Sequence, residues 1–332
     1  MKITAVVVTY ANRFDYVKQV VDECFSQGVN KVVIIDNGSP RENNESLLGL
    51  QEEYTSERVF LVTNKKNEGS AVGFSQGIRF AVKFSEPDSW ILILDDDNKL
   101  EPGAVKKLNS LSEKHGSDNA YMCLRFDRIH YKKYLITKER SVLLGEPNAF
   151  MLFSLLKFIK KKLGVRKESV NWDKFERITE PVECPCGPYG GLFISIKAIN
   201  KVGFPNEKLY LYFDDTEYTL RFKEKGVNLW LAPQARIRDI DESWSGKKLS
   251  KKFSHPSLEA DEFRVKYTYR NRVYMERKYF VTSKFEYFLN AFFYLSFLGV
   301  KAVFSRSIKR YFVICKSVYE GWNFDKNIDK LK

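Results

Sequence analysis

Five consecutive apolar residues, Trp90 to Leu94, run directly into the three carboxylates Asp95, Asp96 and Asp97. An uninterrupted apolar run is typical of a strand buried on both faces, as in a parallel sheet. The acidic triplet then falls at the carboxyl end of that strand, which is where open α/β sheets bind ligands. Because adjacent carboxylates repel one another and are costly to bury, we expect a cation beside them, and oxygen ligands suit Mg²⁺ or Mn²⁺. A solvated acidic turn before a helix explains the triplet alone equally well.

Three more apolar runs precede this strand and alternate with helical patterns. The strands are predicted at Ile3–Val8, Lys31–Asp36 and Arg58–Val62, and the helices at Asp15–Gln27, Glu45–Tyr54 and Ser70–Phe84. This alternation, at intervals of about thirty residues, predicts βαβ units and a parallel, doubly wound α/β sheet. Gly69, Gly73 and Gly77 recur every four residues at the start of the third helix, which permits close backbone approach. The G-x-G-x-x-G and P-loop patterns are absent from the sequence, which disfavours a nicotinamide-type site.

Composition limits the class of protein without choosing a function. The 332 residues are 44% hydrophobic, enough for one large domain or two ordinary ones. A formal net charge of +13 favours an anionic partner, which could be nucleic acid, an anionic membrane surface or a phosphorylated substrate. The five cysteines are not a disulfide framework, and Cys184 and Cys186 lack the neighbours of a zinc set. Because no charged-then-apolar leader opens the sequence, we expect a cytoplasmic chain.

The second half of the chain is less regular. We predict helices at Pro102–His115, Ala149–Leu163 and Asp214–Lys225, strands at Tyr121–Phe126 and Leu229–Pro233, an irregular segment at Glu183–Gly191, and a strand that runs into a polar loop over Ala235–Trp244. The pattern of Ala149–Leu163 is amphipathic. That helix could lie on a membrane, cover an acceptor site or pack as an ordinary surface helix over the sheet.

Several polar residues stand where strands end or helices begin. Asp214 and Asp215 open a helix, where they could be simple caps, but two adjacent acids can also raise one pKa toward that of a general base. Asp36 ends the second strand and could accept hydrogen bonds from a base or ribose, while Arg13 could pair with phosphate. Taken alone, an Asx-turn explains Asp36 better, and a solvated loop acid explains Asp239 better.

Taken in order, these motifs resemble those of the family 2 inverting glycosyltransferases, which have the GT-A fold. The motifs are Thr9-Tyr10-x-x-Arg13, Asp36-Asn-Gly-Ser39, Asn67-x-Gly69-x-x-x-Gly73, Asp95-Asp96-Asp97, Asp214-Asp215 followed by Arg221, and Tyr269-Arg270-Asn271-Arg272. Each motif is weak alone, but their order and spacing together are specific. The resemblance covers roughly residues 1–275, and within the family it is strongest to the galactofuranosyl- and rhamnosyltransferase-like branch.

The resemblance implies a fold and a set of roles. The fold would be a GT-A, Rossmann-like, mostly parallel sheet flanked by helices, with a helical C-terminal extension. The residues implied to contact the nucleotide sugar are Thr9, Tyr10, Arg13, Asp36, Asn67, Gly69, Asp95 and Asp96. Asp95 and Asp97 would bind Mn²⁺ or Mg²⁺ across the diphosphate, with Asp239 standing where many relatives have a metal-binding His. Asp215 would be the general base, with Asp214 beside it.

The resemblance also implies substrates. The donor would be a UDP- or dTDP-linked sugar, galactofuranose or rhamnose-like, and the acceptor a glycan or lipid-linked saccharide of a bacterial surface polysaccharide such as O-antigen. Residues 1–127 would form the nucleotide-binding half and residues 128–275 the acceptor half of the catalytic domain. The remaining residues, 276–332, would form a basic, aromatic, helical C-terminal region. An oligomer is possible, and no nucleic-acid partner is expected.

The C-terminal region predicts contact with a membrane. Between Lys278 and Lys316 there are seven Lys or Arg residues and one acid, Glu286. Phe285–Phe304 is strongly apolar but interrupted by polar residues. This combination favours a helix lying on an anionic bilayer, at the cytoplasmic face of the cell membrane, over packing on the catalytic domain or a second subunit.

Two other functions remain open from the residues. A basic nucleic-acid-binding protein would explain the charge but not the ordered carboxylates, and no zinc-finger or RNP-type motif is present. A nucleotidyltransferase could use a similar acidic strand end, but it would release pyrophosphate instead of a nucleoside diphosphate.

Overall fold

The computed structural model describes residues 1–164, 169–241 and 254–325. These residues form two compact units. The first unit comprises residues 1–138, 171–210 and 214–241, and the second comprises the described residues of 139–170, 211–213 and 254–325. The domain boundary expected at residue 275 lies inside a helix of the second unit, Glu262–Tyr279. The division into a nucleotide half and an acceptor half stays a prediction.

The first unit contains one nine-stranded mixed sheet. Its strands are β1 (Ile3–Thr9), β2 (Lys31–Asp36), β3 (Val59–Thr63), β4 (Trp90–Asp95), β5 (Asn98–Leu100), β6 (Asn119–Arg125), β7 (Val182–Glu183), β8 (Leu192–Ser195) and β9 (Asn228–Asp239). The order across the sheet is β3-β2-β1-β4-β8-β6-β9-β5, and β7 pairs with β9.

Thirteen α-helices are found among the described residues. In chain order α1–α6 are Phe14–Ser26, Arg41–Tyr54, Ser70–Lys83, Ala104–His115, Ile129–Thr137 and Ser141–Leu144. Helices α7–α9 are Leu155–Lys162, Ile196–Val202 and Asp214–Glu224. Helices α10–α13 are Pro256–Glu259, Glu262–Tyr279, Lys284–Phe304 and Ile308–Trp322.

The predicted βαβ arrangement is confirmed for the first four strands. β1 pairs in parallel with β2 and with β4, and β2 pairs in parallel with β3. The apolar residues of β1, β2 and β4 other than the half-buried Val8 are buried, as expected for strands covered on both faces. The carboxyl ends of these strands therefore meet at one edge of the sheet. The antiparallel pairs of the sheet come from β5, β7 and β8.

The glycines of α3 let this helix lie unusually close to β1. A Cβ atom on Gly73 would stand 2.8 Å from Cγ1 of Val8, and one on Gly77 would stand 2.5 Å from Cγ1 of Val6. Contacts this short do not occur between carbon atoms in packed interiors. The four-residue spacing of these glycines thus serves helix-to-sheet packing.

The helix predicted over Ala149–Leu163 is wrong in its first part. Only Leu155–Lys162 is helical, and Phe150 pairs with Phe153 in an isolated antiparallel bridge. Met151 and Leu152 have positive φ angles, 50° and 67°, which a right-handed helix does not allow. The helix begins instead after Ser154, whose side chain accepts a hydrogen bond from the backbone N of Lys157.

The two short stretches expected around Pro233 form one strand. β9 runs from Asn228 to Asp239 beside β6, and its register shifts between Cys123 and Leu124 of that partner. A bulge of this kind accommodates Pro233, which has no N–H to offer the ladder. Residues 242–244 of the expected polar loop lie outside the described residues.

The second unit is helical and includes α12, the helix formed by the apolar C-terminal run. Within the described ranges, α12 is the one helix long and apolar enough to cross a membrane by length and composition. In its most apolar 18-residue window, 28% of the residues are buried inside the protein.

Candidate active site

The acidic triplet lies at the edge where the parallel strands end. Asp95 is the last residue of β4, and the backbone N of Asp95 donates to Oδ1 of Asn98, the first residue of β5, at 3.2 Å. Nδ2 of Asn98 in turn donates to Asp97 and to Asp239, at 3.0 Å in each case. Asn98 thus closes the acidic turn and connects it to β9.

Arginines supply the cationic partners expected for the triplet. Nε of Arg13 donates to Asp96 at 2.8 Å, Nη2 donates to Asp97 at 3.1 Å, and Nη1 donates to Asp241 at 2.6 Å. Thr9, the last residue of β1, also donates from its hydroxyl to Asp96 at 2.8 Å. The loop after β1 therefore holds carboxylates from two distant parts of the chain.

Two further arginines hold Asp239. The carboxylate of Asp239 accepts from Nη2 of Arg125 and from Nη2 of Arg128. Nη1 of Arg125 also lies 3.7 Å from Oδ2 of Asp95. Arg125 is the last residue of β6, so it reaches the acidic edge by the same strand-end rule that predicts Asp95.

The electrostatics of the triplet are dominated by burial. Burial raises the pKa of Asp95, of Asp96 and of Asp97 to about 6 each. The charge of neighbouring carboxylates adds to the increase, whereas Arg13 and Arg125 oppose it. The cluster thus carries excess negative charge that the arginines only partly balance.

The predicted metal ligands Asp95, Asp97 and Asp239 are brought together at this edge. In the parts of the chain that the structure describes, no three His, Cys, Asp or Glu side chains are already arranged as a metal site. Asp97 and Asp239 instead face arginines and Asn98. The Asp95 carboxylate accepts no hydrogen bond from the described residues, and its side chain is 39% exposed. Its oxygens are open to a ligand, and an all-oxygen set suits a hard divalent cation.

Some of the residues predicted to hold a nucleotide lie at the acidic edge, and others lie in the loop after β2 and at the start of α3. Thr9 and Arg13 lie at the acidic edge, and Tyr10 between them is partly exposed. Asp36 is fully buried and accepts from the backbone N of Ser39 at 2.9 Å and from Nδ2 of Asn44 at 2.7 Å. The bond to Ser39 is a local contact that stabilises the turn after β2, and the bond to Asn44 fixes Asp36 to the first turn of α2.

Asn67 and Gly69 shape the start of α3. Oδ1 of Asn67 accepts from the backbone N of Gly69 at 2.9 Å, and Gly69 has a φ of 84° at the helix N-cap. A Cβ atom there would stand 2.3 Å from the carbonyl oxygen of Tyr210, so glycine is required sterically as well as conformationally. These contacts connect α3 to the segment that leads into α9.

The second carboxylate cluster opens α9. Asp214 is buried, and its carboxylate accepts from the hydroxyl of Ser70 at 3.0 Å. Burial raises the pKa of both Asp214 and Asp215. The charge of Asp215 also helps to raise the pKa of Asp95, so the two clusters are electrostatically coupled.

Five contributors to this site were not assigned a role from the sequence. They are Ser70, Asn98, Arg125, Arg128 and Asp241. Arg125 could have been recognised from the sequence, because it lies at the end of a predicted strand. The others depend on the pairing of β5 with β9 and on loop conformations that leave no periodic pattern in the sequence.

Comparison with known proteins identifies the family. Residues 5–173, just over half of the chain, match the family profile described as Glycosyl transferase family 2. A dTDP-rhamnosyl transferase, RfbF of Shigella flexneri, is 21% identical over 236 residues, which are 71% of this chain and 68% of that protein.

Solved structures show the same fold. A crystal structure of GalNAc-T7 with UDP, GalNAc and Mn²⁺ matches with a TM-score of 0.52 at 14% identity, over 88% of this chain and 53% of that one. The chain thus spans about half the length of GalNAc-T7, and the likeness establishes the GT-A fold. The family match shows that the chain belongs to glycosyl transferase family 2 and is a glycosyltransferase.

Proposed function

We propose that this enzyme moves a galactofuranose or rhamnose-like sugar, with inversion, from a UDP- or dTDP-linked donor to a glycan or lipid-linked acceptor. The product would belong to a bacterial cell-surface polysaccharide such as O-antigen. The observation that carries the proposal is the placement of two carboxylate clusters: Asp95–Asp97 lies at the sheet edge where β4 ends, and Asp214–Asp215 opens α9. Single-displacement sugar transfer needs charge stabilisation on the leaving diphosphate and a base beside the attacking oxygen. Each cluster suits one of these tasks.

Asp95, Asp97 and Asp239 would hold Mn²⁺ or Mg²⁺. All three offer the oxygen ligands that such ions prefer, and the Asp95 carboxylate is the most open to a ligand. A bound divalent cation supplies positive charge to the departing diphosphate. The Mn²⁺ in the GalNAc-T7 structure supports a divalent metal ion.

The donor lies against the loops that follow β1, β2 and β3. The residues proposed to contact it are Thr9, Tyr10, Arg13, Asp36, Asn67, Gly69, Asp95 and Asp96. Arg13, whose guanidinium is held by Asp96, Asp97 and Asp241, brings positive charge toward a phosphate group. The similarity to a dTDP-rhamnosyl transferase supports dTDP-rhamnose, and the GalNAc-T7 structure supports UDP.

Asp215 acts as the general base. It takes the proton of the acceptor hydroxyl as that oxygen bonds to the anomeric carbon, and the bond from this carbon to the diphosphate breaks in the same step. The pKa of Asp215, raised by burial, is closer to neutral pH, which suits a base. Asp214 orients the helix start through its bond to Ser70.

The enzyme would work as a peripheral protein on the cytoplasmic face of the cell membrane. The apolar helix α12 and the excess of basic residues around it support this location. A lipid-linked acceptor is presented at that surface, where a basic protein is attracted to anionic lipids.

Calorimetric titration with UDP, dTDP, GDP and NAD, each with and without Mn²⁺, tests the proposal. Metal-dependent binding of one nucleoside diphosphate would support it and narrow the donor. Asp97→Ala should lose that binding, whereas Asp118→Ala, at an exposed acid paired with Lys197 and Lys201, should keep it. No binding of any nucleotide by the wild-type protein would contradict it.

The reaction products separate this function from nucleotidyl transfer. Turnover with the identified donor should release one nucleoside diphosphate for each sugar transferred. Release of pyrophosphate from a sugar phosphate and a nucleoside triphosphate would instead indicate a nucleotidyltransferase.

A further inference from the structure

The outer side of α12 is apolar although it faces solvent. Its exposed residues include Phe285, Phe288, Phe292, Phe293, Phe297 and Phe304, whose surfaces are 42–80% accessible. Ser296 is the only polar residue on the exposed side of this helix after Phe285. A surface helix of a soluble protein normally turns polar residues outward. These six residues, hereafter the phenylalanine face, therefore need an apolar cover.

The opposite side of α12 is fixed to the rest of the second unit. Nδ2 of Asn290 donates to the carbonyl oxygen of Asn148, and its Oδ1 accepts from the backbone N of Leu155, both at 2.8 Å. Tyr287 and Leu298 are buried on the same side. One side of the helix is thus packed against the protein. The phenylalanine face is largely exposed, although Phe288 contacts Trp322 of α13 at its border.

Helix α13 lies antiparallel to α12 and disfavours a spanning orientation. Trp322 near the end of α13 stacks on Tyr287, and Tyr311 near its start contacts Gly299. Lys316, an exposed lysine midway along α13, would be carried into the hydrocarbon if α12 crossed a bilayer. The helix pair instead fits a position in the plane of the interface.

Helix α7 adds a second uncovered apolar surface, tied to α12 through the bond between Leu155 and Asn290. No residue of α7 is buried. Leu156, Ile159 and Leu163 lie along one side at helical spacing, and all three are exposed. Lys157, Lys161 and Lys162 occupy the other side, together with Phe158. This is the pattern of a helix that lies in a lipid interface.

The charges around both helices favour anionic lipid over a second copy of the chain. Lys160, Lys161, Lys284, Arg306 and Lys309 are exposed, and no carboxylate among the described residues forms an ion pair with them. A symmetric dimer would bring the same surface of each copy together and so oppose like charges. Phosphate groups of lipids supply the opposite charge, each basic residue contributing about fivefold in binding.

We propose that the phenylalanine face of α12 and the apolar side of α7 insert together into one leaflet of an anionic bilayer, with α12 parallel to the membrane plane. The inference rests on the membrane location proposed above and identifies its contact surface and depth. The flanking lysines and arginines lie at the level of the lipid phosphates.

Sedimentation of the full chain with vesicles tests the surface. The vesicles are made of phosphatidylcholine alone or mixed with phosphatidylglycerol. We expect the wild-type protein to sediment with the anionic vesicles, and Phe285→Ser/Phe292→Ser to bind them at least tenfold more weakly. Leu48→Ser, at an exposed position of α2, is the matched control and should bind as the wild type does. Lys160→Glu/Lys161→Glu should lose the preference for anionic lipid.

The outcomes separate this inference from the broader proposals. Wild-type protein that binds neither vesicle overturns the membrane location itself, whereas binding that the phenylalanine variant retains overturns only this surface. Self-association lost in the phenylalanine variant, without vesicle binding, would mean that a second copy covers the face. Donor turnover with a soluble acceptor is measured separately, because it reports on the transferase reaction alone.

The depth of α12 in the bilayer is measured with the variant Ser296→Cys, labelled at the new cysteine with an environment-sensitive dye. Four of the five native cysteines are buried, and the partly exposed Cys315 is replaced by Ser. Quenchers placed near the lipid headgroups should quench the dye more strongly than quenchers at the bilayer centre. The reverse order would mean a spanning helix and would overturn the in-plane orientation.

Discussion

Nε of Arg13 lies 2.8 Å from Oδ2 of Asp96, and both side chains are almost completely buried, at 13% and 7% exposure. The same guanidinium also pairs with Asp97 and Asp241. One arginine near the start of the chain thus holds carboxylates that follow β4 and β9. Because these acids are buried together, the arginine is needed for folding as well as for any phosphate it meets.

Replacing Arg13 by Ala should lower the free energy of unfolding by about 3–5 kcal/mol, since it leaves buried carboxylates without their partner. Urea denaturation of the wild type and the variant measures the loss. Arg41→Ala is the control, because Arg41 pairs with Glu45 at 2.6 Å but is almost fully exposed, and such pairs contribute little. Equal effects of the two substitutions would contradict the role given to Arg13.

Asp215→Asn should reduce turnover by about 10²–10⁴-fold, the usual contribution of a general base, while donor binding is retained. Steady-state kinetics and calorimetry measure the two quantities separately. Asp214→Asn keeps an oxygen that can accept from Ser70, so its loss of turnover should be smaller. A variant at Asp215 with near wild-type turnover would remove this residue from the mechanism.

The buried triplet should make stability depend on pH. The folded-state pKa of Asp95, about 6, lies above its ordinary value of 3.8, so the folded state binds more protons between these pH values. Stability therefore falls as pH rises through this window, and the penalty is complete above about pH 6. Asp95→Asn removes the ionisable group and its penalty.

In the presence of a chelator, Asp95→Asn should thus stabilise the folded protein at pH 7.5 and leave its stability nearly unchanged at pH 4. The gain should be about 1 kcal/mol, because solvent screens a side chain that is 39% exposed. Denaturant unfolding of both proteins at the two pH values gives the comparison. A gain of equal size at both values would mean that ionisation is not its cause.

Two helical glycines provide a matched test of the packing of α3. Gly77→Ala should destabilise the protein by about 1–3 kcal/mol, since its Cβ would meet the stiff, branched side chain of Val6 at 2.5 Å. Gly49→Ala in α2 meets nothing within 4 Å and should stabilise by up to about 1 kcal/mol through helix propensity. Thermal unfolding measures both, and effects of the same sign would contradict the close approach of α3 to β1.

Local sequence patterns correctly predicted the parallel strands in the first part of the sheet. The apolar runs ending at Thr9, Asp36 and Asp95 became parallel strands, and their ends met at one edge as the rule for open sheets requires. The start of α9 at Asp214 was also confirmed. In each case the pattern lies within a few residues of the element it predicts.

The rest of the site depends on distant pairings. Asp239 reaches Asn98 because β9 pairs antiparallel with β5, across about 140 residues of chain, and no periodic pattern signals that register. The start of α7 was misplaced for a different reason. Met151 and Leu152 have positive φ angles, and because neither residue is glycine the sequence does not signal this conformation. Tertiary context decided both.

The position of β9 in the sequence affects the order in which parts of the sheet can fold during synthesis. Arg13 and Asp96 are both present once the first hundred residues have left the ribosome, and β1–β4 can then form a parallel block. β9, which pairs with β5, β6 and β7, follows more than a hundred residues later. Pairings at such separation form slowly, and domains fold as their chain emerges. The acidic edge is therefore the last part of the sheet to be completed, and the loops after β1 and β2 are made well before that edge is whole.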